Sequence, residues 1–263
     1  MTPPRVLILR APGTNCDEET AFAFEQAGAE AERVHINRLL EKPALADEYQ
    51  ILCIPGGFSY GDDVAAGRIL ANQIQHHLVE HLARFKDQGK LILGICNGFQ
   101  VLIKSGLLLE PDPVDGPPAT LTWNDSGRYE DRWVRLGVRG SKCVFLRGIE
   151  RMYLPVAHAE GKFVARDEKV LERLRQEGQL AIFYLRLSGE RPDEDGPVPY
   201  PDNPNGSMAN AAAVCDLTGR VLGLMPHPER HIDPTQHPRW TRGEARHPGD
   251  GLAVFGNAVE YFA

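Results

Sequence analysis

The chain has 263 residues, 42% hydrophobic and 25% charged, with a formal net charge of −7 at pH 7. That composition suits a globular chain able to bury a sizeable core, and the acidic balance argues against sequence-independent nucleic-acid binding. No apolar run exceeds six residues, so no membrane span is expected, and the N-terminal apolar stretch is too short for a signal peptide.

Residues 6–9 form an apolar run that stops at Arg10-Ala11-Pro12-Gly13, as a strand followed by a loop does. Residues 18–27 read as a helix with Gly28 as C-cap, and 31–36 as a second strand. Ile51–Ile54 is a third strand, halted by Pro55-Gly56-Gly57. Ile69, Leu70, Ile74, Leu78, Leu82 and Phe85 recur at helical spacing and predict one long helix over 64–86. Residues 90–95 make a fourth buried strand, and a helix starts near Asn97. Further strands are expected at 133–138, 142–149, 152–157 and 179–186, with a helix at 168–177. Residues 211–217 and 221–225 flank Thr218-Gly219-Arg220 as a hairpin.

Alternating strands and helices in the first half predict an α/β fold. It would be an open, mostly parallel, twisted sheet with helices on both faces. The strand-rich second half is expected to extend the same sheet in antiparallel fashion, giving one domain over 1–263. Three segments rich in Pro, Gly and charge (111–131, 188–207 and 233–250) read as long loops, a length usually tied to function or mobility.

Five cysteines with no Cys-x-x-Cys pair argue against a disulfide framework or a zinc ribbon, and for a reducing cytoplasm. Of these, Cys96 lies in Gly94-Ile95-Cys96-Asn97-Gly98, where a buried strand meets a helix. This is the pattern of a nucleophile elbow, whose sharp turn needs small residues two positions away on each side. It lifts the sulfur to the carboxyl ends of the strands, where the following helix N-terminus favours thiolate. The plainer alternative is an inert cysteine capping a strand, and Cys53, between Leu52 and Ile54, is read that way.

A thiol nucleophile needs a base and the base needs an orienting group. Among nine histidines, His76, His77 and His81 fall on the long helix, His35 in a strand, and His237 and His247 in the last loop. His227 follows a strand in Met225-Pro226-His227-Pro228-Glu229-Arg230. Glu229 can project to the same side as His227 if that segment is extended. A metal site of His227, Glu229 and His231 is set aside, because prolines break the register and no cysteine is close in sequence. For the oxyanion, Asn97 offers one backbone N–H and the glycines of Pro55-Gly56-Gly57-Phe58-Ser59-Tyr60-Gly61-Asp62 offer the other. That loop has neither phosphate-loop pattern, so nucleotide binding there is weakly supported. These residues leave open a stand-alone cysteine hydrolase or peptidase on the same fold.

The segments 94–100, 55–62 and 225–230, with Gly13-Thr14-Asn15-Cys16-Asp17, His158-Ala159-Glu160-Gly161 and Asn203-Pro204-Asn205-Gly206-Ser207, resemble class I (triad) glutamine amidotransferases. Within that class they are most similar to the glutaminase subunits that serve phosphoribosylformylglycinamidine synthesis in purine biosynthesis. The resemblance spans nearly the whole chain. It implies Cys96 as nucleophile, His227 as base, Glu229 as its orienting partner, and Gly57 and Asn97 as the oxyanion hole. It also implies contacts from Gln100, Gly56 and Phe58 to L-glutamine. It further implies a glutamyl thioester and delivery of ammonia to a separate synthetase subunit, with a possible further small subunit. No cofactor or metal is expected in this chain; ATP and Mg belong on the synthetase. The long loops depart from shorter members of that group.

Overall fold

In chain order the strands are β1 (Arg5–Arg10), β2 (Glu30–His35), β3 (Ile51–Ile54), β4 (Leu91–Ile95), β5 (Ala119–Thr122), β6 (Glu130–Val138), β7 (Arg151–His158), β8 (Lys162–Ala165), β9 (Leu180–Tyr184), β10 (Ala211–Cys215) and β11 (Val221–Leu224). The helices are α1 (Asp17–Gln26), α2 (Ile36–Glu41), α3 (Arg68–His77), α4 (Val79–Asp87), α5 (Asn97–Lys104), α6 (Glu168–Gln176) and α7 (Leu252–Glu260). The computed structural model describes residues 2–139, 142–187, 196–244 and 247–263.

Among the described residues, nine strands join in one sheet in the order β2-β1-β3-β4-β11-β10-β9-β6-β7. The first five run parallel, and from β11 onward each neighbouring pair is antiparallel. β5 and β8 form a separate two-stranded ribbon. Every residue of β3, β4, β10 and β11 is buried. Continuous burial requires cover on both faces, as expected for the parallel centre of an α/β sheet. β6 instead mixes buried and exposed positions, as a strand near the edge does.

Helix α5 packs on β3, β4 and β11, and its approach is set by one residue. A Cβ at Gly98 would stand 1.8 Å from the carbonyl oxygen of Ile54. That oxygen belongs to the backbone of a core strand and cannot move aside. Gly98→Ala is therefore expected to lower unfolding free energy by about 3 kcal/mol, at the upper end for overpacking. A chemical denaturation curve with an unshifted midpoint would refute this.

Several expected elements take another form. The helix anticipated over 64–86 is two helices. α3 starts only at Arg68, after Gly67 at φ 71°, and Leu78 leaves helical geometry at φ −125° before α4. Leu78 stays buried, so the apolar periodicity survives although the backbone turns. The strand anticipated over 142–149 is a single turn, Val144–Leu146. Its apolar residues are buried against α7, where the Asn257 amide donates to the carbonyls of Phe145 and Arg147 at 3.0 and 2.8 Å. The second strand ends at His35, whose Nδ1 accepts from the N–H of Asn37 at 3.2 Å and caps α2. α2, β8 and α7 were not anticipated; the first two are short, and α7 is too uniformly apolar to show a clear period.

Candidate active site

Four loops leave the carboxyl ends of the adjacent parallel strands β1, β3, β4 and β11, and together they build the site. That end of an open α/β sheet is where loops are free to hold ligand. β4 ends just before Cys96, whose φ of 51° is unusual for a residue with a side chain. Its N–H donates to the carbonyl of Leu224 at 2.7 Å and its own carbonyl accepts from Gln100 N, so the turn is pinned at both ends. The sulfur lies 3.6 Å from the carbonyl oxygen of Ala157 on β7, at the N-terminus of α5.

β11 ends just before Met225-Pro226-His227. The N–H of His227 donates to the carbonyl of Pro155 at 2.9 Å. Its Nδ1 lies 2.6 Å from Glu229 Oε1, and both side chains are almost wholly buried. A carboxylate only accepts, so Nδ1 carries the hydrogen and Nε2 is left as the basic nitrogen. Burial works against the charged ring, yet the Glu229 carboxylate and the Cys96 sulfur outweigh it and hold His227 well above its ordinary range. The contact does not arise from an extended segment, as the sequence pattern suggested. Pro228–Arg230 is a turn, and the turn brings the carboxylate back to the ring.

Gly57, Phe58, Gln100 and Cys96 line one cavity of about 270 Å³. Gln100 donates from Nε2 to the Glu160 carbonyl at 2.6 Å and accepts from Asn97 Nδ2 at 2.9 Å. Asn97 Oδ1 accepts from the N–H of Ser59 at 3.2 Å, tying the loop after β3 to α5. Gly56 does not line this cavity. A Cβ there would stand 2.8 Å from His227 Cε1, so its place is behind the imidazole. A larger cavity of about 680 Å³ lies over β6 and β7 between Arg135, Tyr153 and His231, away from the reactive sulfur.

The remaining motifs support this cavity. The carbonyl of Gly13 accepts from the N–H of Phe58 at 3.0 Å, and Thr14 bridges to Gly57. A Cβ at Gly57 would stand 2.8 Å from Asn15 N, and at φ 138° glycine is the residue that fits. Asn205 donates to the Gly161 carbonyl at 2.8 Å, and Ser207 Oγ accepts from the N–H of Phe163 at 2.9 Å. The segment 203–207 thereby holds the turn that presents Glu160.

Residues that the sequence reading left without a role also meet here. Cys16, whose N–H donates to the Gly56 carbonyl at 3.3 Å, lies with His227 and Glu229 so that one potential ligand atom of each falls within 4.8 Å of the others. Cys16 is distant from His227 in sequence and close to it in space, because β1 and β11 deliver their loops to one point. Burial raises the Cys16 thiol to about 11, so it stands as a neutral thiol, with Arg230 Nη2 at 3.2 Å. The expected loop 111–131 contains β5 and, beyond it, Trp123, which lines the cavity. Its Tyr129 stacks on Phe58 at 6.4 Å between ring centroids. The loop 188–207 lies partly outside the described residues, as do positions 245 and 246 of the loop 233–250.

Residues 3–262 match the family of CobB/CobQ-like glutamine amidotransferase domains. A Dehalococcoides mccartyi protein named phosphoribosylformylglycinamidine synthase subunit PurQ is 50% identical over 263 residues, covering 99% of this chain and 98% of that one. A Methanococcus maripaludis protein of the same name is 42% identical, covering 98% and 97%. The structure of PurLQS from Thermotoga maritima contains a chain that superposes with a TM-score of 0.74 at 30% identity, covering all of both chains. A glutamine amidotransferase from Thermotoga maritima shares the fold at a TM-score of 0.55 and 13% identity. The chain belongs to the CobB/CobQ-like glutamine amidotransferase domain family.

Proposed function

We propose that the chain is the glutaminase subunit of a phosphoribosylformylglycinamidine synthase. It hydrolyses L-glutamine and passes ammonia to a synthetase subunit in purine biosynthesis. The observation that carries this reading is half identity to a PurQ subunit over nearly the full length of both chains. The site chemistry agrees with it. No helix among the described residues is long and apolar enough to cross a membrane. A cytoplasmic setting fits the cysteines, all five of them free and buried.

In this reading His227 takes the proton of the Cys96 thiol, and the sulfur attacks the side-chain carbonyl carbon of glutamine. The N–H groups of Gly57 and Asn97 receive the oxyanion, a contribution usually worth about 10²–10³-fold per donor. The C–N bond breaks as the nitrogen takes a proton from the His227 imidazolium, and ammonia leaves. His227 then removes a proton from water, which attacks the thioester. Glutamate departs and the thiol is restored. Glu229 fixes the tautomer that makes both transfers possible. Glutamine sits against Gln100 and Phe58, while Gly56 acts by packing behind His227.

Ammonia that reaches open water is diluted and mostly protonated, so transfer across a sealed contact with the synthetase keeps it nucleophilic at low overall concentration. ATP and Mg act on that partner, where the formyl amide oxygen is activated and replaced. A further small subunit is compatible with this arrangement. An electrophilic glutamine analogue should label this chain stoichiometrically at Cys96, read by peptide mass spectrometry. Labelling of Cys16 or Cys53 in its place would overturn the assignment.

A further inference from the structure

The loop over 233–250 takes no part in the thioester chemistry. Its described residues cover β6 and β7, where His237 and Arg239 help to wall the cavity of about 680 Å³. A cavity of that size lies in the range of small-molecule sites. β6 and β7 pair antiparallel, with Arg135 opposite Tyr153 and Gly137 opposite Arg151. Residues opposite one another share a face, as do residues two apart along a strand. Arg135, Tyr153 and Arg151 therefore stand on one face, and all three line the cavity. The two arginines are diagonal neighbours, which sets their Cβ atoms about 7–8 Å apart. Both are exposed.

Among the described residues, Arg135 meets the Tyr153 ring at 5.7 Å, and neither guanidinium has a hydrogen bond or a carboxylate partner. The acidic groups of the cavity are engaged elsewhere. Asp250 Oδ2 accepts from the N–H of Tyr153 at 2.8 Å, and Glu244 lies 3.4 Å from Arg239. Like charges side by side are unfavourable unless an anion neutralises them, and this pair stands unneutralised in a chain of net charge −7. Beside it is a wall of rings. Tyr153, His231 and His237 all line the cavity. The His237 ring lies 5.5 Å from Tyr153 and 5.6 Å from His231, and Trp133 backs the three at 5.2, 5.0 and 5.4 Å from Tyr153, His231 and His237. His231 Nδ1 donates to the Tyr153 carbonyl at 2.8 Å, and His237 Nδ1 accepts from the N–H of Arg239 at 3.0 Å. The wall is thus fixed before a ligand arrives, which lowers the cost of binding.

We propose that this cavity is a second ligand site, built for a nucleoside monophosphate. Arg135 and Arg151 receive the phosphate, and the rings of Tyr153 and His237 take the base. Two guanidinium forks within reach of one another match the oxygens of a phosphate, and aromatic faces match a planar base. The site lies away from Cys96, goes beyond the glutaminase reading and does not depend on it. It also gives the loop over 233–250 a role, as the cover that makes an exposed sheet face into a cavity.

The test titrates the full chain with AMP by isothermal calorimetry at low salt, with adenosine, ribose 5-phosphate and inorganic phosphate in parallel. AMP should bind one-to-one with a Kd of about 10–100 μM. Adenosine lacks the phosphate, and ribose 5-phosphate and inorganic phosphate lack the ring; each should bind at least about 10-fold more weakly. Arg135→Gln and Arg151→Gln should each weaken AMP binding about 10- to 100-fold. Glutamine-dependent rates of the reconstituted complexes should stay within about twofold of wild type, which reports folding. Arg151→Gln carries the test if Arg135→Gln disturbs the ring wall. No binding of AMP to wild type, or binding unchanged in both variants, would overturn the proposal. Ribose 5-phosphate or inorganic phosphate binding as tightly as AMP would overturn the nucleotide class. Variants that bind AMP normally but no longer assemble with the synthetase would assign the two arginines to a protein contact, which also overturns it.

Discussion

Cys96→Ala is expected to remove glutamine-dependent product formation by the reconstituted complex while ammonia-dependent formation stays within about twofold of wild type. Loss of a covalent nucleophile in a triad enzyme costs on the order of 10⁶-fold, so the residual rate falls below ordinary assays. Ammonia-dependent synthesis bypasses the thioester and should persist. The mutation itself is conservative in packing terms. Cys96 is buried, with its sulfur 3.6 Å from the Ala157 carbonyl and interacting with the His227 imidazole. The strained φ of 51° is kept by the backbone hydrogen bonds to Leu224 and Gln100, which alanine retains. Parallel rates with the two nitrogen donors measure the division of labour, and a joint fall of both would show that Cys96 does not act as assigned.

Glu229→Gln should lower glutamine-dependent kcat by about 10²–10⁴-fold, with a smaller effect on KM. Two effects combine. An amide at this position can present its nitrogen to Nδ1 and select the wrong tautomer, as the hydrogen on Nδ1 depends on an acceptor at 2.6 Å. The variant also removes the negative charge that helps hold His227 above its ordinary range. With that charge gone the imidazolium loses its proton at a lower pH. The alkaline limb of the kcat profile should therefore move to lower pH, because the charged ring is the acid that protonates departing nitrogen. A pH–rate profile checks both magnitude and sign. An unshifted alkaline limb would mean that Glu229 acts only by packing. A limb moved upward would contradict the electrostatics.

The centre of the fold was legible because it obeys local rules. The strands at 6–9, 51–54 and 90–95 are short and, Lys90 aside, apolar, as burial on both faces imposes, and glycine or proline follows each within three residues. The elbow around Cys96 was legible for a similar reason. Gly94 and Gly98 are required by close approach, and the Gly98 contact with the Ile54 carbonyl makes that requirement concrete. The break at Leu78 was hidden because apolar spacing reports which positions face the core, and a buried Leu78 keeps the count. The turn over Val144–Leu146 was hidden because burial beneath α7 produces the same apolar run as a strand does.

Asp62 and Glu160 each lie in a motif, but they sit 98 positions apart in sequence and no local pattern says that they line one cavity. Cys16 offered only a motif, with nothing to say that it would lie against His227.

What the sequence by itself determined was the class of the sheet, the elbow that carries one sulfur, the histidine–carboxylate pair downstream, and the family. These follow from residue type at short spacing, where backbone geometry and side-chain size are decisive. What only the tertiary structure decided was which loops share a cavity. Parallel strands β1, β3, β4 and β11 end on the same side of the sheet, so their loops converge whatever the distance between them along the chain. The order of those strands is set by the total burial of their faces and by crossover connections, a property of the whole chain that no local window contains.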